Sequence, residues 1–228
     1  MRRRLNTRPN MKHILIFFLL CGVLLSSSFF LFNFFSNALA QFLNVNKPID
    51  DGEVLIVEGW INSKLLVNVK EEFEKRHYKY ILVSEMDNDS GSMTTRNQND
   101  QTYNNVFRIT NELITLGINT SKIRVVTCHT TIIHKTFSMA QSARNWLRTN
   151  DPTVRRINIC TGWSHGRKSW CAYQRIFGSA FCIGILTYPQ SQKPVEKWWL
   201  SRGGRFRSQL FSLTGYIYSA LWPISLLD

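Results

Sequence analysis

The chain is short of acid and has no closely paired cysteines. Its 228 residues carry 15 Asp and Glu against 28 Lys and Arg, a formal net charge of +13. That surplus suits anionic lipid head groups, phosphorylated carriers or acidic polymers. Five cysteines occur and none stands in a Cys-x-x-Cys pair. This excludes zinc ribbons and thioredoxin-type redox pairs, and no other metal-ligand spacing is present. Asp87 and Asp89 before Gly91 lack the remaining ligands of a calcium loop. Cys21 follows Leu20 rather than a small residue, which argues against a lipoprotein site. Cys128 and Cys160 fall in or just after apolar strand-like runs, while Cys171 and Cys182 lie in or after the next helix. Buried free thiols and a single disulfide are both open readings.

What is present, first, is a long hydrophobic run. Arg2, Arg3, Arg4, Arg8 and Lys12 precede an apolar stretch from Ile14 to Phe35. As a helix it reaches ~33 Å, enough to cross the ~30 Å hydrocarbon core of a bilayer. The flanking charges keep the N-terminus in the cytoplasm and send the rest across. The expected organisation is a basic cytoplasmic tail (1–12), a transmembrane anchor or uncleaved signal (13–36), a linker containing Pro48 (37–51), and an exported domain (52–228). A cleaved signal peptide is the competing reading, because Ala38-Leu39-Ala40 is an A-x-A sequence, although about 40 residues is long for a signal. Setting the five N-terminal cations aside leaves 23 Lys and Arg against 15 Asp and Glu. Nucleic acid is not an expected partner beside a membrane span.

Beyond the linker, apolar strand-like runs alternate with helical periodicity. Strands are expected at Val54–Val57, Tyr80–Val83, Ile123–Val126, Ile157–Cys160 and Phe181–Leu186. Helices are expected at Lys64–His77, Tyr103–Leu116, Thr136–Arg148, about Gly166–Phe177 and Phe206–Leu221. Asp87–Gln101 is polar apart from Met93, as a lid or a disordered connection is. The alternation predicts an α/β protein, a three-layer Rossmann-like domain on a mainly parallel five-stranded sheet. With strand order 3-2-1-4-5, the loops after strands one and four face each other, where such sheets bind ligands.

Those two loops hold the candidate site. After strand four comes Thr161-Gly162-Trp163-Ser164-His165-Gly166-Arg167-Lys168, a Gly-containing turn into a helix that carries imidazole and two cations. His165 is a candidate acid or base, and Arg167 and Lys168 are candidate phosphate ligands with Thr161. Glu58 ends strand one, either as a general base or in a structural salt bridge to Arg167 or Lys168. Gly59 serves the turn, and Trp60 either stacks on a ligand or covers the core. Glu85, Thr127 and His129 end strands two and three and are weaker candidates; His77 and His134 read as surface residues. Trp198, Trp199, Arg202, Arg205 and Arg207 form a basic aromatic segment that recognises phosphate, lies on a membrane or packs under the last helix. The residues name no cofactor.

In these residues the chain resembles the SanA, ElyC and YdcF family of bacterial envelope proteins. The similarity covers about Gly52 to Ala220 and includes Val57-Glu58-Gly59-Trp60, Thr102-Tyr103, Leu116-Gly117-Ile118, Lys135-Thr136-Phe137, Asn145-Trp146-Leu147, Asn158 to Lys168 and Lys197-Trp198-Trp199-Leu200-Ser201. It departs from the family pattern at Ser84-Glu85-Met86-Asp87, Ser138-Met139, Lys168 and Gln209. The resemblance implies a Rossmann-like domain in the periplasm, anchored by one pass in the inner membrane and tied to peptidoglycan or surface-polysaccharide assembly. It supplies no reaction. The expected function is binding of a phosphorylated ligand, lipid-linked or nucleotide-like, at Glu58–Trp60 and Thr161–Lys168, with Arg202 as a further ligand-binding residue. The alternative is a non-catalytic scaffold that meets partner proteins or anionic lipid through the basic Trp-rich segment.

Overall fold

The computed structural model describes residues 11–86, 105–128, 135–188 and 198–221; for residues 13, 85–86, 105–107 and 198–205 it describes the backbone alone. The polar connection 87–101, the Thr102-Tyr103 pair, His129 and His134 lie outside the described residues. Two compact units divide between Ala40 and Gln41.

The first unit belongs to helix α1 (Met11–Leu43). Its most apolar window has a mean hydropathy of 2.6, and none of that window is buried. The helix is long and apolar enough to cross a bilayer, a property shared by membrane spans and signal sequences. Two of its polar side chains bond within the helix: Ser26 donates to the Val23 carbonyl at 2.9 Å and Asn33 to the Phe29 carbonyl at 2.7 Å. Such internal bonding lets polar groups enter an apolar environment.

The second unit, residues 41–228, holds a five-stranded sheet of β1 (Val54–Glu58), β2 (Tyr80–Met86), β3 (Ile123–Cys128), β4 (Arg156–Gly162) and β5 (Cys182–Tyr188). All pairings are parallel and the order is β3-β2-β1-β4-β5, the order expected from the sequence. Every residue of β1 is buried because the central strand has a helical layer on each face. Val54, Ile56, Leu82, Ile157 and Ile159 pack with residues of α4 (Lys135–Asn150) and α5 (Gly166–Phe177). Leu55, Val57, Ile81 and Val83 pack with residues of α2 (Leu66–Arg76) and α3 (Asn105–Thr115). This is the three-layer arrangement. The last helix, α6 (Trp198–Leu221), packs on α5 and begins eight positions earlier than its apolar periodicity suggests.

Of the stretch expected to be a linker, 37–51, residues 41–51 belong to the second unit. α1 continues to Leu43, and Leu43 and Val45 are buried. Lys47 and Ile185 then exchange antiparallel backbone bonds of 2.8 and 3.0 Å, which covers part of the open edge of β5. Asn158 clamps the same segment: its amide oxygen accepts from the Ile49 N–H at 2.9 Å, and its amide nitrogen donates to the Ile49 carbonyl at 2.8 Å and to the Tyr78 hydroxyl at 2.7 Å. Gly184 leaves room for this clamp, since a Cβ there would stand 1.9 Å from the Asn158 amide oxygen. Similarly, a Cβ on Gly166 would lie 2.6 Å from the Thr187 methyl and 3.2 Å from the Leu43 carbonyl, so α5 starts against the end of α1 only because that residue is glycine.

Asn158→Ala leaves the Ile49 N–H without a partner and removes one of two bonds from the Ile49 carbonyl, which keeps Arg76 at 3.4 Å, and from the Tyr78 hydroxyl, which keeps Glu72 at 3.0 Å. At roughly 1 to 3 kcal/mol for a buried group left unsatisfied, the expected destabilisation is about 2 kcal/mol by urea unfolding. A loss below about 1 kcal/mol would mean that the clamp holds nothing.

Candidate functional site

The parallel register of β1 and β4 runs to Val57 beside Cys160. β1 continues one residue beyond its apolar run and β4 two, and this brings Glu58 to Thr161. Glu58, Thr161 and Ser169 are all fully buried. The Thr161 hydroxyl donates to Glu58 Oε2, and the Ser169 hydroxyl, from the first turn of α5, donates to the same oxygen at 3.0 Å. Oε1 makes no hydrogen bond. Burial pushes the Glu58 carboxyl up to about 7, against the opposing pull of Thr161, Ser169, the Lys168 charge and the Trp60 indole. Near neutral pH this carboxyl is therefore poised between acid and carboxylate.

A turn follows β1. The Gly59 N–H donates to the Ser84 carbonyl at 2.8 Å and the Ile61 N–H to the Glu58 carbonyl at 3.0 Å. Gly59 is not in the left-handed region, so its place in the turn does not demand glycine's extra freedom. Trp60 swings across to the β4 side, with its ring centre 5.8 Å from that of His165 and the Lys168 ammonium 5.7 Å from its face. A single 3-10 turn, Trp163–His165, joins β4 to α5 and carries the imidazole. Burial, with the Lys168 charge adding to it, lowers the His165 pKa to about 4, so the ring is neutral at pH 7 rather than a third cation. Lys168 is itself held below the usual lysine range by burial; Glu58 opposes that shift and Lys135, at the start of α4, adds to it.

Beside these groups lies an open cavity of about 390 Å³ lined by His165, Lys168, Arg207, Ser208, Phe211 and Ser212. Its wall combines two cations, two hydroxyls, a neutral imidazole and a phenyl ring. At it and around Glu58, buried polar atoms lack partners: Glu58 Oε1, Trp60 Nε1, His165 Nδ1 and the Tyr173 hydroxyl. The Trp60 indole acts on the Glu58 carboxyl without a bond of good geometry, and the Tyr173 hydroxyl stands in the same relation to Ser84. Buried polar groups normally find partners, and such a concentration at one strand-end crevice marks a place shaped for something other than stability.

The candidates named from the sequence do not all meet here. Glu58, Trp60, His165 and Lys168 do. Thr161 spends its hydroxyl on Glu58 and is a support, not an open ligand. Arg167 is carried away: its Nε donates to the Phe42 carbonyl and its guanidinium stands 4.0 Å over the Phe42 ring and 5.9 Å from that of Tyr216. Adjacent residues on a helix point about 100° apart, so Arg167 and Lys168 cannot share one target. Of the two salt-bridge partners open to Glu58, then, Arg167 is excluded by direction and Lys168 acts through space. Arg202, Trp198, Trp199 and Arg205 lie on α6, but their side chains are outside the described atoms, as is that of Glu85. Thr127 is exposed on β3 and His77 is exposed at the end of α2. Arg207, a member of the basic aromatic segment, does reach the cavity, while Ser169, Tyr173, Ser208, Phe211 and Ser212 are not marked by any motif in the sequence. Of these only Ser169 could have been found, being one helical turn beyond His165. Cys160 and Cys128 are buried, and Cys160, Cys171 and Cys182 carry free thiols.

No protein-family model, curated protein or solved structure matches this chain. The class that the fold and site define is an α/β domain with a parallel sheet and a polar crevice at its strand-order reversal, with one long apolar helix among the described residues.

The two shifted groups leave opposite signatures in stability. Glu58 rises from 4.5 to about 7 on folding, so the fold gains a proton and stability falls as pH rises through that window. His165 falls from 6.5 to about 4, so stability rises with pH through its window. Between these limits the slopes oppose each other in the native chain. Relative to it, Glu58→Gln is expected to make stability climb from pH 4.5 to 6.5, and His165→Phe to make it decline over the same range. Denaturant unfolding of both variants across pH measures this, and slopes of the same sign would contradict the burial of one group.

Proposed function

We propose that this chain is a membrane-anchored envelope protein of the SanA, ElyC and YdcF type, with its α/β domain on the periplasmic side. Its cavity between α5 and α6 binds a phosphorylated ligand, lipid-linked or nucleotide-like. The observation that carries the reading is the convergence of Lys168, Arg207, Ser208, Ser212 and His165 on one cavity, backed by buried donors without partners. Oxyanions are held by this kind of set: cations for charge, hydroxyl and N–H groups for direction.

Glu58 does not line the cavity. Its part is to set the charge state of Lys168 from behind, and its protonation lowers the negative potential that an arriving phosphate meets. Neutral His165 offers one ring nitrogen as donor and the other as acceptor, which suits a ligand hydroxyl or bridging oxygen and, if a reaction occurs, a proton transfer. The membrane-anchored character is supported by the length and hydropathy of α1, and the topology by the cations that precede it.

Calorimetric titration of the detergent-solubilised full chain with farnesyl phosphate and with adenosine diphosphate tests the reading. Lys168→Ala is expected to weaken whichever ligand binds by tenfold or more, about 1.4 kcal/mol. Arg167→Ala should change it less than threefold, because that guanidinium is engaged with Phe42 and Tyr216. No binding of either probe, or equal losses in both variants, would overturn the assignment. Binding to the native chain should also tighten as pH drops below about 7, where Glu58 gains its proton, by more than it does in Glu58→Gln at the same pH. Identical pH profiles would remove Glu58 from the account.

A further inference from the structure

The outer face of α6 is apolar and uncovered. Leu210, Phe211, Ile217 and Leu221 are 42, 65, 45 and 77% exposed. With Arg207 and Thr214 they fall at positions 207, 210, 211, 214, 217 and 221, the spacing that lines one side of a helix. The opposite side of the helix is fixed to the domain by buried Ser212 and Ser219. A soluble protein rarely leaves a continuous apolar stripe in water without an occupant for it.

The chain itself says what lies nearby. Phe42 packs edge-on against Tyr216 of α6, ring centres 5.6 Å apart, and the Arg167 guanidinium sits on the same ring. Phe42 follows Phe35, the end of the apolar run, by seven positions. That tether is ~10 Å as helix and at most ~25 Å fully extended. The headgroup layer on each side of a bilayer is itself ~5 to 8 Å thick. Whatever the angle between the apolar helix and the domain, the Tyr216 turn of α6 is leashed within reach of the lipid surface. Helices that lie in that surface have this composition, an apolar stripe edged by Arg, and the Arg favours anionic head groups.

We propose that α6 lies with this face in the surface of an anionic lipid bilayer, so that the cavity at its side takes a phosphate borne by a lipid of that bilayer. Phe211 belongs both to the exposed stripe and to the cavity wall, and the Arg207 guanidinium stands 5.5 Å from its ring. A lipid-borne phosphate can therefore pass from the surface to Lys168 without its chain leaving the apolar layer. The docking rests on α6 and its tether alone; the source of the ligand rests also on the anion site proposed above.

The test uses the full chain in nanodiscs, with the photoreactive residue p-benzoylphenylalanine placed at Phe211, Ile217 or, as control, the exposed Val67 of α2. After illumination, intact mass is expected to reveal lipid adducts at 211 and 217 at least fivefold above those at 67. Yields should be higher with phosphatidylglycerol present than in pure phosphatidylcholine. Yields at 211 and 217 no greater than at 67, or crosslinks to protein in their place, would overturn the docking. All three side chains are exposed, and as a check that needs no substitution, the wild-type α6 amides should exchange more slowly in phosphatidylglycerol discs; equal exchange would count against the proposal.

A second arm separates the two claims with polyprenyl phosphate in the disc and inorganic pyrophosphate in solution. Ile217→Glu is expected to weaken the lipid-borne probe tenfold and leave pyrophosphate unchanged, while Lys168→Ala weakens both. Lys168→Ala with native pyrophosphate binding would sink the anion site and leave the docking standing; Ile217→Glu with native polyprenyl phosphate binding would sink the docking and leave the anion site.

Discussion

A buried carboxyl at the end of the central strand governs the rest of the site. Glu58 has no access to water, and its one bonded oxygen takes both the Thr161 and the Ser169 hydroxyls. Those two bonds tie β1, β4 and the first turn of α5 into one unit. Burial holds the Tyr173 hydroxyl and the Cys160 thiol well above their ordinary ranges, and the Glu58 charge, when ionised, adds to that shift while it partly offsets the effect of burial on Lys168. A hydrophobic residue at this position would pack as well and cost less. An ionisable group kept there at such expense marks the strand end beside the cavity as a candidate functional position.

The second constraint is the way the chain enters the domain. Residues 42 to 49 are bound to the rim of β5 and to the start of α5 through Asn44, Val45, Lys47 and Ile49. Two glycines, 166 and 184, make that close approach possible. The consequence is mechanical: the segment that follows the apolar helix is not a slack leash but part of the folded edge. Arg167, which by sequence belonged with the phosphate ligands, does its work here against Phe42 and Tyr216. The cation next to it in the chain, Lys168, faces the crevice. One helical step separates a residue held against Phe42 and Tyr216 from one that lines the cavity.

Sequence patterning alone determined the architecture. Continuous apolar runs of four or five residues, alternating with helical periodicity, fix strands that are buried on both faces and crossovers that return in parallel, and only a few topologies satisfy that pattern. The apolar run at the start and the acid at the end of strand one were equally readable, because both are properties of composition at a known position. Tertiary structure alone decided three things. It extended β4 by two residues, which set Thr161 against Glu58. It assigned Arg167 and Lys168 to different neighbours, since side-chain direction depends on helix phase and not on adjacency. It brought Ser208, Phe211 and Ser212 of α6 to a crevice formed by residues 40 or more positions earlier, a meeting that no local period encodes, because it follows from how α6 packs on α5 and from nothing within either helix.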